Sequence, residues 1–333
     1  MPLTQLNFQP GIDTENTPTG AEGRWIDCDK IRFRKGLPQK IGGWAKFSTA
    51  YYVGVGRALE QWFALDGSRL EALGTDRKVY AYASGTSQDI TPIRSTEALV
   101  NAISTTSSSA IVTITDTAHG AIQGDFVTLS SVSAAVGGIP AATLDAEYEI
   151  LSIANVDAYT IQSSATASSA VGPTANCTVN YQLNIGPSEQ TFGYGWGAGN
   201  WNAGTWNTPR TSSQITLDAR LWSINNWGED LIITQKDGGT FEWDTSGGMT
   251  DNRATVIANA PTTSTLSMVS TETRHVVCMG TETAIANTAT QDKMFIRWSD
   301  QENYNEWTPN VTNSAGSQRI AGGSEIRCAR PAK

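Results

Sequence analysis

"LEALGTDRKVYAYA" (70–83) and "LIITQKDGGTFEWD" (231–244) decide the fold of this 333-residue chain. Aligned without gaps, Leu70 meets Leu231 and Asp76 meets Asp237. Val79-Tyr80-Ala81-Tyr82 then meets Thr240-Phe241-Glu242-Trp243. Each stretch reads as a strand, a polar turn and a second strand ending on aromatic residues. Another strand precedes each copy: "ALEQWFALDG" (58–67) and "ARLWSINNWG" (219–228). A looser third copy runs from "VVCMGT" (276–281) to "KMFIRWSD" (293–300), and the N-terminal segment is a candidate for a fourth.

Hairpin repeats of roughly 40–50 residues are the signature of propeller blades, which cover their faces by stacking. The fold predicted is all-β: a β-propeller, incomplete in this chain, carrying an inserted small antiparallel β-barrel or sandwich. Trp62, Tyr80, Tyr82, Trp222, Phe241, Trp243, Phe295 and Trp298 are expected to pack between blades.

The insert shows in the charges. No Lys or Arg lies between Arg94 and Arg210, a stretch with eight acids: Glu97, Asp116, Asp125, Asp145, Glu147, Glu149, Asp157 and Glu189. The remainder holds 23 basic and 24 acidic residues, against a net charge of −9 for the whole. Such a shift marks a separate unit. Inside it, 110–116, 125–131, 146–153, 157–163 and 177–183 alternate apolar and polar residues, as half-buried strands do. "SSATASSAVGPTAN" (163–176) reads as a mobile Ser/Ala-rich loop. The expected units are 1–99 (N-terminal segment and first blade), 100–184 (acidic insert) and 185–333 (remaining blades with a Gly/Trp-rich loop).

Several classes find no support. No apolar run approaches the ~20 residues of a membrane span, and the N-terminus lacks a signal-peptide pattern. Cys28, Cys177, Cys278 and Cys328 are far apart and read as free thiols of a protein made in a reducing cytoplasm. The two histidines, His119 and His275, suggest no metal site. No nucleophile elbow or phosphate loop occurs. "GYGWGA" (193–198) fits a dinucleotide pattern superficially, but a Gly/Asn-rich sequel ending at Pro209 does not open a helix. No catalytic residue, cofactor or metal is expected.

"DKIRFRKGLPQK" (29–40) is the one basic run. On a strand, Lys30, Arg32 and Arg34 share one face and Ile31 and Phe33 the other. With Lys35 they form a candidate docking surface for an acidic neighbour. A solvated edge strand protected by its charges is the alternative.

The N-terminal stretch resembles a known family. "FQPGID" (8–13) and "EGRWIDCDKIRFRKGLPQKIGGW" (22–44) are similar to the opening of the tail nozzle, or tail hub, proteins of short-tailed phages. There a W-x-D-x-x-x-x-R-F-x-x-G-x-P-x-K-x-G-G-W motif recurs. "GYGWGAGNWNAGTW" (193–206), "RLWSINNWGEDLI" (220–232), "FIRWSDQENYNEWTP" (295–309) and "TNSAGSQRI" (312–320) resemble the same family. The resemblance implies propeller subunits in a six-fold ring below the head-to-tail adaptor, forming the exit channel for viral double-stranded DNA. It also implies tail fibre or tailspike partners and a place in the virion. Relatives continue into further β structure, whereas this chain stops soon after "GSQRIAGGSEI". A truncated product or a second chain completing the ring would account for that. A nearly neutral ring suits a duplex that must slide, because each phosphate neutralised by Lys or Arg adds affinity.

Trp196, Trp201 and Trp206 recur every five residues among glycines. This spacing alternates the faces of a strand, so a flat sugar-stacking row does not follow from one strand. Packing within or between subunits is the expectation, with contact to another virion protein or a carbohydrate as alternatives. A receptor-binding fibre and a tail-associated glycan hydrolase are the competing functional readings.

Overall fold

The structure, a computed structural model, describes residues 9–43, 45, 46, 48, 50–184, 186, 219–250 and 252–330. The chain divides after residue 49 into two compact units.

The first unit is small. Ile12 forms a parallel bridge with Trp25, and Asp13 N–H donates to Trp25 O at 2.7 Å. Strands β1 (Ile31–Arg34) and β2 (Leu37–Lys40) make an antiparallel hairpin. Its turn is Lys35-Gly36, both at positive φ (52° and 80°). Two such residues match the twist of the strands, and glycine takes the second place without steric cost. This two-stranded ribbon is not a fourth blade.

The second unit is all-β and built from several sheets. Strands β3 (Gly56–Phe63), β4 (Arg69–Thr75), β5 (Val79–Ala83) and β6 (Thr86–Asp89) form the first four-stranded meander. Strands β7 (Ile93–Leu99) to β14 (Cys177–Gln182) form the insert. A second meander follows in β15 (Trp222–Trp227), β16 (Asp230–Gln235), β17 (Thr240–Trp243) and β18 (Thr255–Val256). The third is β19 (Leu266–Val269), β20 (Val276–Met279), β21 (Phe295–Trp298) and β22 (Gly316–Arg319). The repeat read from the sequence occupies the second and third strands of each meander.

Consecutive meanders stack face to face. In the first seam Trp62, Leu70, Ala72, Val79 and Ala81 meet Trp222, Ile224, Ile233, Phe241 and Trp243. Burying each Leu, Ile or Phe there contributes about 1.5–3 kcal/mol. Trp62 and Trp243 meet edge to face at 6.5 Å. A Cβ on Gly74 would sit 2.8 Å from Trp222 Cδ1, so glycine sets the spacing of this seam. The second seam joins Trp227 and Ile232 to Val269, Val276, Cys278 and Trp307. It is more polar: Asn225 Nδ2 donates to Ser267 O at 3.2 Å, and Thr240 Oγ1 lies 3.6 Å from Cys278 Sγ.

Four of the eight aromatics expected between blades, Trp62, Trp222, Phe241 and Trp243, are there. Tyr80 and Tyr82 are not, because alternation turns Val79 and Ala81 to the seam and sends both tyrosines to the opposite face. Tyr80 Oη instead accepts Val53 N–H at 3.0 Å. Phe295 and Trp298 are half-buried outside both clusters, while Trp227 and Trp307 fill the second seam.

The insert is one eight-stranded antiparallel sheet around its own core. Its strand order, β13-β8-β9-β12-β11-β10-β14-β7, uses β8 (Ile103–Thr105), β9 (Ile111–Thr115), β10 (Phe126–Ser130), β11 (Glu147–Asn155), β12 (Ala158–Gln162) and β13 (Val171–Thr174). Ile103, Val112, Ile114, Val127, Leu129, Ile150, Ile161 and Val179 line its inner face. The sheet curls without closing: β13 and β7 are its edges, and Ala102 N–H donates to Ala175 O at 3.0 Å between the segments that follow them. It begins at Ile93, ahead of the expected 100, because β7 pairs with β14 from Cys177↔Leu99 to Gln182↔Ile93. The 163–176 stretch is not a free loop. It contains β13, buries Ala167 in the core and donates from Ser168 N to Gly137 O at 2.8 Å.

Candidate interaction surfaces

The hairpin presents the basic run. Arg32 and Arg34 share one face with Gln39 and Leu37, and Arg32 Nε donates to Gln39 Oε1 at 3.1 Å. Ile31 and Phe33 take the other face, where Trp25 meets Phe33 edge to face at 6.2 Å. Lys30 does not continue the row. Its φ of 57° places it outside the strand, beside Asp29 at 3.3 Å. Lys35 sits in the turn. Arg32, Arg34, Lys35 and Lys40 are exposed, as is Leu37 at 70 %.

In the second unit several cations meet carboxylates. Lys78 is buried between the first meander and the insert. Its Nζ reaches Asp89 Oδ2 at 2.8 Å, Glu147 Oε1, and the face of Phe126 at 4.2 Å. Arg253, from the segment before β18, contacts Asp89 Oδ1 at 3.2 Å and Glu147 Oε2 at 3.5 Å. Arg77 pairs with Glu149 at 2.5 Å. Asp116 and Asp125 are buried in the insert: Asp116 accepts from Tyr181 Oη at 2.5 Å and Asp125 from Ile122 N–H at 2.9 Å. Four of the eight acids between Arg94 and Arg210 thus serve docking onto the blades or the core of the insert. Charge counts gave no sign of Arg77 and Lys78 as partners some 70 positions away from the carboxylates they meet.

A cleft of about 880 Å³ opens between the first and second meanders. Phe63, Leu65, Asp66, Glu229, Asp230, Asp244, Arg274 and Tyr304 are among the residues that line it. The carboxylates hold backbone: Asp66 accepts from Ser68 N at 2.7 Å and Asp244 from Ser246 N at 2.7 Å within local turns, Asp230 from Thr245 N at 2.9 Å, and Glu229 from Leu65 N of the first meander at 2.6 Å. Tyr304 donates to Glu242, and its ring meets Trp227 edge to face at 5.5 Å. Burial pushes the Glu242 carboxyl up, against the pull of that hydrogen bond. These backbone hydrogen bonds account for Asp66, Glu229, Asp230 and Asp244 as structural groups.

Among the described residues no group of His, Cys, Asp and Glu is arranged to hold a metal ion, and no helix is long and apolar enough to cross a membrane. All four cysteines are free; Cys177 and Cys278 are buried, Cys28 is half-buried and Cys328 is exposed. His119 Nδ1 accepts from Ala121 N–H at 3.1 Å and its ring meets Tyr159, while His275 Nδ1 bonds Ser299 O at 2.8 Å. Trp196, Trp201 and Trp206 lie outside the described residues.

No family model matches the chain, and no curated protein does. Among solved structures it is similar to a phage phi92 endosialidase, at 12 % identity and a TM-score of 0.24. The match covers 87 % of this chain but only 41 % of that one, so the chain spans about two fifths of its length. A likeness at that score decides neither fold nor function.

Proposed function

We propose that this chain is a structural protein of a phage tail, the nozzle or hub below the head-to-tail adaptor. The observation that carries the reading is the hairpin. Arg32, Phe33, Gly36, Pro38 and Lys40, the middle of the stretch that resembles that family, are the strands and turn of one ribbon. The motif therefore encodes a fold element rather than a reaction centre.

In this role six copies form a ring in the virion. The ring retains viral double-stranded DNA and then conducts it without reading its sequence. Tail fibres or tailspikes attach around it. The protein works by shape, with no cofactor and no catalysis.

Negative-stain electron microscopy of the purified chain tests this. Six-fold rings with an open lumen are expected. Trimeric rods would favour the receptor-binding fibre, and release of reducing sugar from host polysaccharide would favour the hydrolase.

A further inference from the structure

We propose that the β1–β2 hairpin is a contact for the phosphate backbone of double-stranded DNA, a holding point distinct from the blades. The inference rests on the conduit reading for its biological place, but its measurement does not require a ring.

Three observations carry it. From Lys30 to Arg57 the sequence holds seven basic residues and no acid. In the second unit Arg77, Lys78, Arg253, Lys293 and Arg319 pair with carboxylates, and Arg69 and Arg274 lie over the rings of Phe63 and Trp227. On the hairpin, Arg32, Arg34, Lys35 and Lys40 have no carboxylate partner among the described residues and stand exposed.

The geometry fits a duplex. A strand advances about 3.4 Å per residue, so Arg32 and Arg34 project about 7 Å apart on one face. That is twice the ~3.4 Å axial spacing of phosphates along one DNA strand. A two-stranded ribbon also fits the major groove. The Gln39 hydrogen bond holds Arg32 by Nε, leaving its two terminal nitrogens for a phosphate.

The test is fluorescence anisotropy of a labelled 20-base-pair duplex titrated with the full chain at 50–200 mM salt. Four contacts predict a log–log salt slope of about −3.6, or a loss of roughly 10²-fold in affinity across that range. Arg32→Gln with Arg34→Gln should lower the slope by about 2 while leaving the circular dichroism spectrum unchanged. Two duplexes of different sequence should bind alike. Absence of binding at 50 mM salt, or a slope unmoved by the double substitution, overturns the proposal. So does tighter, Arg32- and Arg34-dependent binding of polyglutamate than of DNA, which would assign the ribbon to an acidic protein. Ring formation is scored separately by microscopy: rings without DNA binding reject this inference alone, and DNA binding without rings rejects only the nozzle reading.

Discussion

Lys78 Nζ and Asp89 Oδ2 lie 2.8 Å apart beneath the inserted sheet, and the same ammonium reaches Glu147 from that sheet. One buried cation thereby ties the first meander to the insert, with Arg253 adding the second meander. Without Lys78 the two carboxylates keep only Arg253 as a cationic partner among the described residues. Lys78→Met is expected to cost about 1–3 kcal/mol in urea unfolding at pH 7. Lys78→Met with Asp89→Asn should recover part of that loss.

Acid should weaken the same junction. Burial pushes the Asp89 carboxyl up, but Lys78 and Arg253, with hydrogen bonds from Lys78 and Thr91, outweigh it and hold it below its ordinary value. Its contribution is then complete above the unfolded carboxyl value of about 3.9 and is lost as pH falls through the lower folded value. Urea midpoints measured from pH 6 to pH 2 should show this acid-side loss, and Asp89→Asn should flatten it.

The first seam should be the less forgiving one to small changes of volume. Gly74→Ala places a methyl group against Trp222, with an expected cost of about 1–3 kcal/mol. Trp222→Ala removes that contact and the bond from Trp222 Nε1 to Thr75 O at 2.5 Å. About 3–5 kcal/mol should be lost by thermal or urea unfolding.

The thiols should divide by burial. Desolvation pushes Cys177 and Cys278 up to about 11, so little thiolate forms at neutral pH. An aromatic disulfide reagent at pH 7.5 should modify exposed Cys328 first and leave Cys177 and Cys278 unreacted until denaturant is added. Rapid modification of all four in native buffer would contradict the buried positions.

Much of this fold is legible in the order of residues because strand alternation is local. The Val79–Ala83 and Thr240–Trp243 strands, and five strands of the insert, announce themselves by period. What alternation leaves open is which face meets a neighbour, and that decides the places of Tyr80 and Tyr82. Ile93–Leu99 was hidden because "IRSTEAL" pairs along an edge through its backbone and buries little. On the hairpin the shared face of Arg32 and Arg34 follows from spacing alone. Lys30 leaves that row because its φ is positive, and a lysine at positive φ carries no signature in the pattern. The partners of Glu147 and Glu149 were equally silent, since composition reports charge and not proximity.

Ile93 and Gln182 are register partners at the entry and exit of the inserted sheet. Its two chain ends therefore leave side by side, where a short linker could join the flanking blades at little entropic cost. Such a cassette is open to exchange between lineages without redesign of the host scaffold. The ammonium of Lys78 is the condition attached: a replacement module that brings no anion to the place of Glu147 leaves Lys78 with Asp89 alone.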